Sequence, residues 1–170
     1  VIGATDSNKT LDSLSHVWQE LQQRGATRHS LMVNLGGGMV TDLGGFAAST
    51  FKRGIAYINV PTTLLSMVDA SVGGKTGINF GGLKNEIGVF NNANCVILDT
   101  TFLKTMDEEN ILSGYAEMLK HGLISHEKML GELLAFDIEQ PDFAQLKRMV
   151  ADSVAVKQRI VTEDPTEHGI

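Results

Sequence analysis

Polar side chains of several chemical types are concentrated between Pro61 and Asn85. The stretch carries two adjacent hydroxyls, one carboxylate, two lysines and a terminal amide among glycines and apolar residues: Thr62, Thr63, Asp69, Lys75, Lys84 and Asn85. Lys75 and Lys84 are flanked by glycines and apolar residues rather than by surface charge, and we expect both to lie in loops. Lysines in such loops are natural binders of phosphate and carboxylate groups. The stretch therefore predicts a pocket for an anionic ligand.

Each of these groups also has a structural interpretation that needs no ligand. Thr62 and Thr63 follow a predicted strand, at the edge of an α/β sheet where ligands usually bind, but they can also cap the next helix. Asp69 interrupts an apolar run and is either a solvated helix position or an inward carboxylate, and its apolar neighbours favour the second. For Lys75 and Lys84 the alternative is a purely structural role.

A triple glycine lies between a predicted strand and a predicted helix. At Gly36, Gly37 and Gly38, bare backbone N–H groups and a helix N-terminus can hold a pyrophosphate. The spaced glycine fingerprint of dinucleotide-binding proteins does not occur here, so a tight turn is the alternative. Asp42 follows in the first helical turn, either as a partner of the helix dipole or as an acceptor for a ribose or substrate hydroxyl.

Glu117 is the candidate metal ligand. On a helix it shares one face with Lys120 at i+3 and His121 at i+4, because residues at these spacings are neighbours. A surface salt bridge is the usual explanation of such a group. A metal-binding carboxylate is the alternative, because Gly114 and Ala116 leave space around the side chain.

The elements that must position these groups alternate between strands, glycine turns and helices. Apolar spacing predicts helices at 10–24 and 40–52 and strands at 30–35, 55–60 and 95–98. The strands are nearly continuous apolar runs, which is typical of strands buried on both faces of a parallel sheet. Cys95, the only cysteine, is expected to be a buried core thiol. The alternation predicts an α/β sheet with right-handed crossovers.

Only helical patterns follow residue 106. Three helices are predicted: the first is capped by Asp107 and marked by Ile111, Leu112, Tyr115 and Leu119, the second by Met129, Leu130, Leu133 and Leu134, and the third by Phe143, Leu146, Val150, Val154 and Val161, with Lys157 on the same face. We place a domain boundary near Met106, between an α/β domain at 1–106 and an all-helical domain at 107–170. Both ends of the chain lie in loops, so both parts are expected to be incomplete.

Composition narrows the class of protein. The chain of 170 residues is 42% hydrophobic and 20% charged, which is normal for a folded, water-soluble protein. No apolar run approaches ~18 residues and no basic-then-apolar start occurs, so we expect a cytoplasmic protein without a membrane partner. The net charge of -6 argues against nucleic acid as a partner. Residues 31–104, however, contain five basic and four acidic residues. This middle part of the chain is therefore less acidic than the rest, which suits a site for phosphorylated ligands.

Taken together, the segments resemble the 3-dehydroquinate synthase family of sugar phosphate cyclases. The segments that carry the resemblance are 35–42, Arg53-Gly54, 60–65, 68–76, Lys84-Asn85 and 114–120. The resemblance implies a Rossmann-like NAD-binding domain, a helical domain that carries a divalent metal, zinc or cobalt, and a homodimer in the full-length enzyme.

The resemblance also implies a reaction in the shikimate pathway, which leads to aromatic amino acids. A phosphorylated sugar acid, 3-deoxy-arabino-heptulosonate 7-phosphate, is converted into 3-dehydroquinate and phosphate. Bound NAD oxidises a secondary alcohol transiently, phosphate is eliminated, the ketone is reduced again and the opened sugar closes in an aldol step. The transient ketone makes the adjacent C–H acidic, which explains why a reaction without net redox change uses a nicotinamide.

The family's functional residues are carried over onto matching positions. Cofactor contacts are expected at Asp6, Lys9, Gly37, Gly38, Met39, Val40, Thr41, Asp42, Thr62, Thr63, Lys75, Lys84, Phe102, Leu103, Lys104 and Thr105. Substrate contacts are expected at Asp69, Lys75, Lys84, Asn85, Lys120 and Lys157. Among these, Lys75, Asn85 and Lys120 are predicted to be catalytic. Glu117 becomes the single carboxylate ligand of the metal, which would act as a Lewis acid.

Some positions depart from the family pattern. Thr41 stands where glycine is frequent, Asp6 where a glutamate is usual, and His121 where a tyrosine is usual. Two metal-binding histidines of the family belong after Ile170, so the chain alone is expected to hold one of three protein ligands and to be inactive.

Three other functions are alternatives to 3-dehydroquinate synthesis. The first is a related cyclase that makes 2-deoxy-scyllo-inosose or a valiolone, the second is a polyol dehydrogenase of related fold, and the third is a non-catalytic nucleotide-binding module.

Overall fold

A computed structural model describes residues 1–168. The α-helices and strands are α1 (Leu11–Gln23), β1 (Leu31–Gly36), α2 (Gly38–Thr50), β2 (Ala56–Pro61), β3 (Lys75–Phe80), β4 (Leu83–Phe90), β5 (Cys95–Val96), α3 (Glu108–Ser125), α4 (Glu127–Ala135) and α5 (Phe143–Glu163). Short 3-10 helices lie at Asp6–Asn8, Phe51–Arg53 and Thr100–Thr105, and a π-helical turn at Ser66–Ala70. Residues 169 and 170, at the end of the predicted helical domain, lie outside the described residues.

The first part is a parallel sheet with strand order β1-β2-β5. Leu31 of β1 lies opposite Ala56 of β2, and the register continues to Gly36 opposite Pro61. Helix α2 connects these two strands and packs against both of them. The predicted α/β fold class, a parallel sheet followed by helices alone, is therefore confirmed.

The strands are not buried on both faces, and that expectation was wrong. Leu31, Val33 and Leu35 are 54–58% exposed, whereas Asn34 between them is buried. Side chains alternate along a strand, and α2 packs on one face only. In residues 1–168 the other face stays exposed. Cys95 pairs with Ile58 on that face, so the thiol is exposed and not a core residue as expected.

An antiparallel hairpin, β3–β4, forms where the sequence predicted loops around the two lysines. Lys75 opens β3 and Lys84 lies in β4. The turn consists of Gly81 and Gly82, both with positive φ (59° and 83°). Two adjacent residues with positive φ form the hairpin turn whose twist matches its strands, and glycine adopts this conformation without strain. The signal was in the sequence, as a Gly-Gly pair between two strand-forming runs.

The helical part contains the three predicted helices. Asp107 caps α3 by accepting a hydrogen bond from the Asn110 N–H, and Asp142 caps α5 in the same way. Leu112 and Leu134, predicted on the apolar faces, are 46% and 70% exposed, because the core of this part contacts narrower stripes of α3 and α4. No helix in residues 1–168 is both long and apolar enough to cross a membrane.

The π-helical turn joins the two parts. Leu64, Met67 and Val68 are fully buried in the same core as Tyr115 and Met118 of α3. The core of the helical part therefore includes residues from before Met106, and the boundary near Met106 stays a prediction.

Close contact between α3 and this turn depends on Gly114. A Cβ atom at this position would lie 2.5 Å from the Leu65 backbone nitrogen and 2.6 Å from the Leu64 Cβ. Backbone atoms cannot move aside as a flexible side chain can. A glycine here therefore allows α3 to bring Glu117, one turn further along, towards the first part.

We expect Gly114→Ala to lower the free energy of unfolding by about 2 kcal/mol, because overpacking a tight contact costs about this much. The matched control is Gly131→Ala in α4, where an added Cβ meets nothing within 4 Å. That change should stabilise the protein by about 0.5 kcal/mol, since alanine is the better helix former. Urea unfolding of both variants measures the difference, and equal effects would contradict the packing argument.

Candidate active site

A polar cavity of about 450 Å³ lies between α2, the β3–β4 hairpin, the turn after β2 and α5. Four predicted substrate residues line it: Asp69, Lys75, Asn85 and Lys157. Three further carboxylates complete its charged lining: Asp42 from α2, Glu86 from β4 and Glu167 from the segment after α5. Residues from both parts of the chain therefore meet at one cavity.

Lys9 contacts two of the residues that line this cavity and is itself 4% exposed. Its ammonium group donates to Asp42 Oδ2 at 2.5 Å and to Asn85 Oδ1 at 2.5 Å. Burial raises the pKa of Asp42 above its usual value, although Lys9 acts in the opposite direction. Lys9 thus connects a predicted cofactor residue with a predicted substrate residue.

Asp69 and Lys157 form a second ion pair, with 2.8 Å between Oδ1 and Nζ. The Lys157 side chain is 15% exposed and that of Asp69 35% exposed. Helix α5 approaches the turn closely enough here that a Cβ at Gly73 would lie 2.9 Å from Val161. Asp69 therefore faces a cation at the cavity, and the helical part supplies that cation.

The two hairpin lysines occupy different places. Lys75 lines the cavity and forms an ion pair with Glu167. Lys84 does not line the cavity; its Nζ lies 3.3 Å from Asp6 Oδ2, and its side chain is 78% exposed. Of the two hairpin lysines, Lys75 is therefore the one placed to contact a ligand inside the cavity.

The triple glycine lies at the start of α2, next to the end of β2. Gly37 is the N-cap residue of α2 and provides no side-chain cap. A Cβ at Gly37 would lie 3.2 Å from Thr63 Cγ2, and one at Gly38 would lie 3.1 Å from Ala70 Cβ. A helix N-terminus without a side-chain cap, beside the carboxyl ends of two parallel strands, is suited to bind an anion.

The capping interpretation holds for Thr63. Its Oγ1 accepts the Ser66 N–H at 3.2 Å and lies 2.9 Å from Ser66 Oγ. Thr62 donates its backbone N–H to the Gly36 carbonyl at 2.9 Å. Thr41 is buried and donates its hydroxyl to the Gly38 carbonyl at 3.0 Å. These hydrogen bonds stabilise the turn after β2 and the start of α2 at the triple glycine.

Other predicted cofactor residues lie away from the cavity. Leu103 is buried in the core of the helical part and Phe102 packs against it. Lys104 Nζ lies 5.7 Å from the centre of the Phe143 ring. Met39 packs against the core between α1 and α2. The structure does not bring these side chains together with the residues that line the cavity.

Glu117 lies in a largely buried cluster of its own. Its side chain is 16% exposed and accepts from Lys120, and His121 Nε2 lies 3.3 Å from its Oε1. The Nδ1 of His121 lies 2.6 Å from Ser153 Oγ. Burial lowers the pKa of His121, while the Glu117 carboxylate acts in the opposite direction. Within residues 1–168, no group of three His, Cys, Asp or Glu is placed to hold a metal, so the cluster offers one carboxylate.

The sequence did not single out three polar residues of these sites. Asn79 hydrogen-bonds to Asp6 and Asn85, Glu167 pairs with Lys75, and Ser153 contacts His121. Asn79 lies within a run that alternates like any strand, and Ser153 lies within a helical pattern. Glu167 lies in a polar loop. Nothing in the sequence distinguishes them from ordinary polar positions.

Lys9→Met should lower the free energy of unfolding at neutral pH by about 3 kcal/mol, because it leaves the Asp42 carboxylate buried without its cation. The folded-state pKa of Asp42 is already raised and would rise further. A raised carboxyl pKa costs stability as pH rises through it, so the deficit of the variant should shrink at acidic pH, where Asp42 is protonated.

Urea unfolding at neutral and acidic pH measures this change. The double variant Lys9→Met with Asp42→Asn is the control, because it carries no buried carboxylate and should lose the pH dependence of the deficit. A deficit that is the same at both pH values would contradict the argument.

Two family models match the chain. Residues 1–113 match the N-terminal domain of 3-dehydroquinate synthase and residues 114–170 match its C-terminal domain. The 3-dehydroquinate synthase of Parabacteroides distasonis is 58% identical over 170 residues, which cover 100% of this chain and 48% of that protein. That of Prochlorococcus marinus is 41% identical over 175 residues, again covering 48% of the relative. The chain spans about half the length of the curated relatives it matches.

Two solved structures are similar over nearly the whole chain. The 2-epi-5-epi-valiolone synthase of Streptomyces hygroscopicus, solved with NAD⁺ and Zn²⁺ bound, matches with a TM-score of 0.89 and 30% identity over 99% of this chain and 48% of that one. A 2-deoxy-scyllo-inosose synthase, complexed with carbaglucose-6-phosphate, NAD⁺ and Co²⁺, matches with a TM-score of 0.88 and 28% identity over 97% of this chain and 46% of that one. On the two family models and the curated relatives, the chain belongs to the 3-dehydroquinate synthase family.

Proposed function

We propose that the protein containing this chain is a 3-dehydroquinate synthase. It converts 3-deoxy-arabino-heptulosonate 7-phosphate into 3-dehydroquinate and phosphate, with NAD and a divalent metal, in the shikimate pathway. The observation that carries the proposal is the polar cavity in which Asp69, Lys75, Asn85 and Lys157 meet, in a chain whose curated relatives bear this name. We also propose a cytoplasmic homodimer, as the family resemblance implies.

NAD would bind across the uncapped N-terminus of α2. Gly37 and Gly38 would offer backbone N–H groups to the pyrophosphate, as helix N-termini do. Thr62 and Thr63 lie beside this turn, and Asp42 lies one turn into α2. NAD⁺ is bound in both related cyclase structures described above. Asp6, Lys84 and 102–105 remain predicted contacts.

The substrate would occupy the polar cavity. A phosphorylated sugar acid carries a phosphate, a carboxylate and several hydroxyls, so it needs cations and a few acceptors. Lys75 and Lys157 supply cations at the cavity, and Asp69 supplies an acceptor for a hydroxyl. Lys75, Asn85 and Lys120 are the proposed catalytic residues. Lys84 does not line the cavity and remains a predicted substrate contact.

Glu117 would supply one ligand to the metal. Its carboxylate is held by Lys120 and His121 in a largely buried position, and a carboxylate oxygen is a suitable ligand for zinc or cobalt. A bound metal of this kind would act as a Lewis acid on the hydroxyl that is oxidised. Within residues 1–168 no group of three His, Cys, Asp or Glu is placed to hold a metal, so we propose that this chain contributes to a metal site and does not complete one.

The second candidate is a related sugar phosphate cyclase. It is favoured by the similarity of the fold to the valiolone and deoxy-scyllo-inosose synthases, at 28–30% identity. The higher identity to curated 3-dehydroquinate synthases, 41–58% in the two relatives above, favours dehydroquinate as the product.

Turnover distinguishes the candidates. The complete protein should release phosphate and form 3-dehydroquinate from the heptulosonate phosphate only when NAD and Zn²⁺ or Co²⁺ are present. Turnover of glucose 6-phosphate or sedoheptulose 7-phosphate instead would identify a related cyclase. NAD binding with no turnover would indicate a nucleotide-binding module. The 170-residue chain alone should be inactive.

Glu117→Ala should weaken metal binding by the complete protein more than about 100-fold, since even changes to residues that only support a ligand cost 10–100-fold. Turnover should fall with it. Glu109→Gln changes an exposed carboxylate of the same helix and serves as the control. Metal content after dialysis against a chelator is the measurement, and full retention by the Glu117 variant would refute the assignment.

A further inference from the structure

Asn79 lies opposite an irregularity in the hairpin. Ile78 pairs with Ile87 and Phe80 pairs with Leu83, so one residue of β3 faces three residues of β4, 84–86. Bulges of this kind redirect side chains and often lie next to active sites. The middle one of the three is Asn85, whose φ of 55° is unusual for a residue other than glycine. The bulge therefore redirects Asn85, which is one of the predicted catalytic residues.

The side chain of Asn79 replaces the backbone partner that Asn85 lacks at this irregularity. Asn79 Oδ1 accepts the Asn85 N–H at 2.9 Å. Its Nδ2 donates to Asp6 Oδ2 at 3.1 Å and to the Asp6 carbonyl at 3.3 Å. An N–H can only donate and a carboxylate can only accept, so these neighbours fix which end of the amide is oxygen.

The backbone of Asn79 makes a third connection. Its N–H donates to the Lys9 carbonyl at 2.8 Å, and the Lys9 ammonium binds Asn85 Oδ1 from the other side. Asp6 and Lys9 are predicted cofactor residues, and Asn85 is a predicted substrate residue. The ion pair between Lys84 and Asp6 runs alongside, but it is exposed and contributes little.

We propose that Asn79 is a positioning residue that couples the cofactor side of the site to the substrate side. It holds Asn85 in its left-handed conformation with one end of the amide and holds the Asp6 segment with the other. This role rests on the proposed function, because it acts through residues assigned to NAD and to the sugar phosphate.

Two substitutions separate the two connections. Asn79→Leu removes both side-chain hydrogen bonds, so the dissociation constant for NAD and the KM for the heptulosonate phosphate should each rise about tenfold, the change expected for a lost hydrogen bond. Asn79→Asp keeps the acceptor for the Asn85 N–H but places a second carboxylate beside Asp6. It should therefore raise the dissociation constant for NAD about tenfold and change the KM for the sugar phosphate by less than about threefold.

Asn91→Leu is the matched control, because it makes the same substitution at an exposed amide that binds Ser49. It should leave both constants within about twofold. NAD binding by calorimetry, steady-state KM and Tm are measured on all variants of the complete protein. A merely structural role predicts that both constants change together with a fall in Tm in both Asn79 variants, and this result would overturn the proposal.

Unchanged constants in Asn79→Leu would also overturn it while leaving the proposed function intact. Failure of the unaltered protein to bind NAD or to use the heptulosonate phosphate would overturn both.

Discussion

The buried ammonium group of Lys9 is the interaction on which the site depends. An unpaired charge in this position would be very costly, so the ammonium needs acceptors around it. It finds them on two different elements, in Asp42 of α2 and Asn85 of β4. The segment before α1, helix α2 and the hairpin are thereby held at fixed separations. No apolar contact would fix them as specifically, because apolar contacts have no direction.

The π-helical turn at Ser66–Ala70 extends this arrangement to the helical part. Met67 and Val68 are buried among the helices, while Asp69, the next residue, lines the cavity and pairs with Lys157 of α5. The same short segment therefore fixes the distance between the two parts and presents a carboxylate at their junction. Gly114 makes the close approach of α3 possible on the other side of the turn.

The local elements were largely predictable because their signals are local. The helix cap Asp107 and the strands that lead to Gly36 and Pro61 follow from residue type and spacing. The exposed face of the sheet was not predictable, since an apolar run does not reveal whether something covers it. The hairpin was missed although Gly81-Gly82 signals one, because the glycines beside the two lysines were interpreted as loop residues.

The site was predictable in part, because some of its residues are placed by local elements and the order of the strands. Residues that follow parallel strands lie at one edge of the sheet, so the meeting of Asp42 and the turn after β2 followed from the fold class. The partners of these residues come from distant segments. The pairing of Lys75 with Glu167, or of Asn79 with Asp6, spans more than seventy residues, and no spacing rule reaches that far.

The ion pairs of the site divide its lysines into two groups. Five lysines each lie beside a carboxylate: Lys9 with Asp42, Lys75 with Glu167, Lys84 with Asp6, Lys120 with Glu117, and Lys157 with Asp69. An anionic ligand must therefore compete with a protein carboxylate for every one of them. Exposed pairs contribute at most about 1 kcal/mol, whereas separating a buried pair is costly.

Exposure then decides which lysines are free to change partner. The side chains of Lys75, Lys84 and Lys120 are 50–78% exposed, so a phosphate or carboxylate group can replace their partners at little cost. Those of Lys9 and Lys157 are 5% and 15% exposed and should keep theirs. The three exposed lysines would then exchange their carboxylates for groups of the ligand. Lys9 would keep α2 and the hairpin together. Lys157, which also lines the cavity, would hold the helical part against the turn after β2 while it stays paired with Asp69.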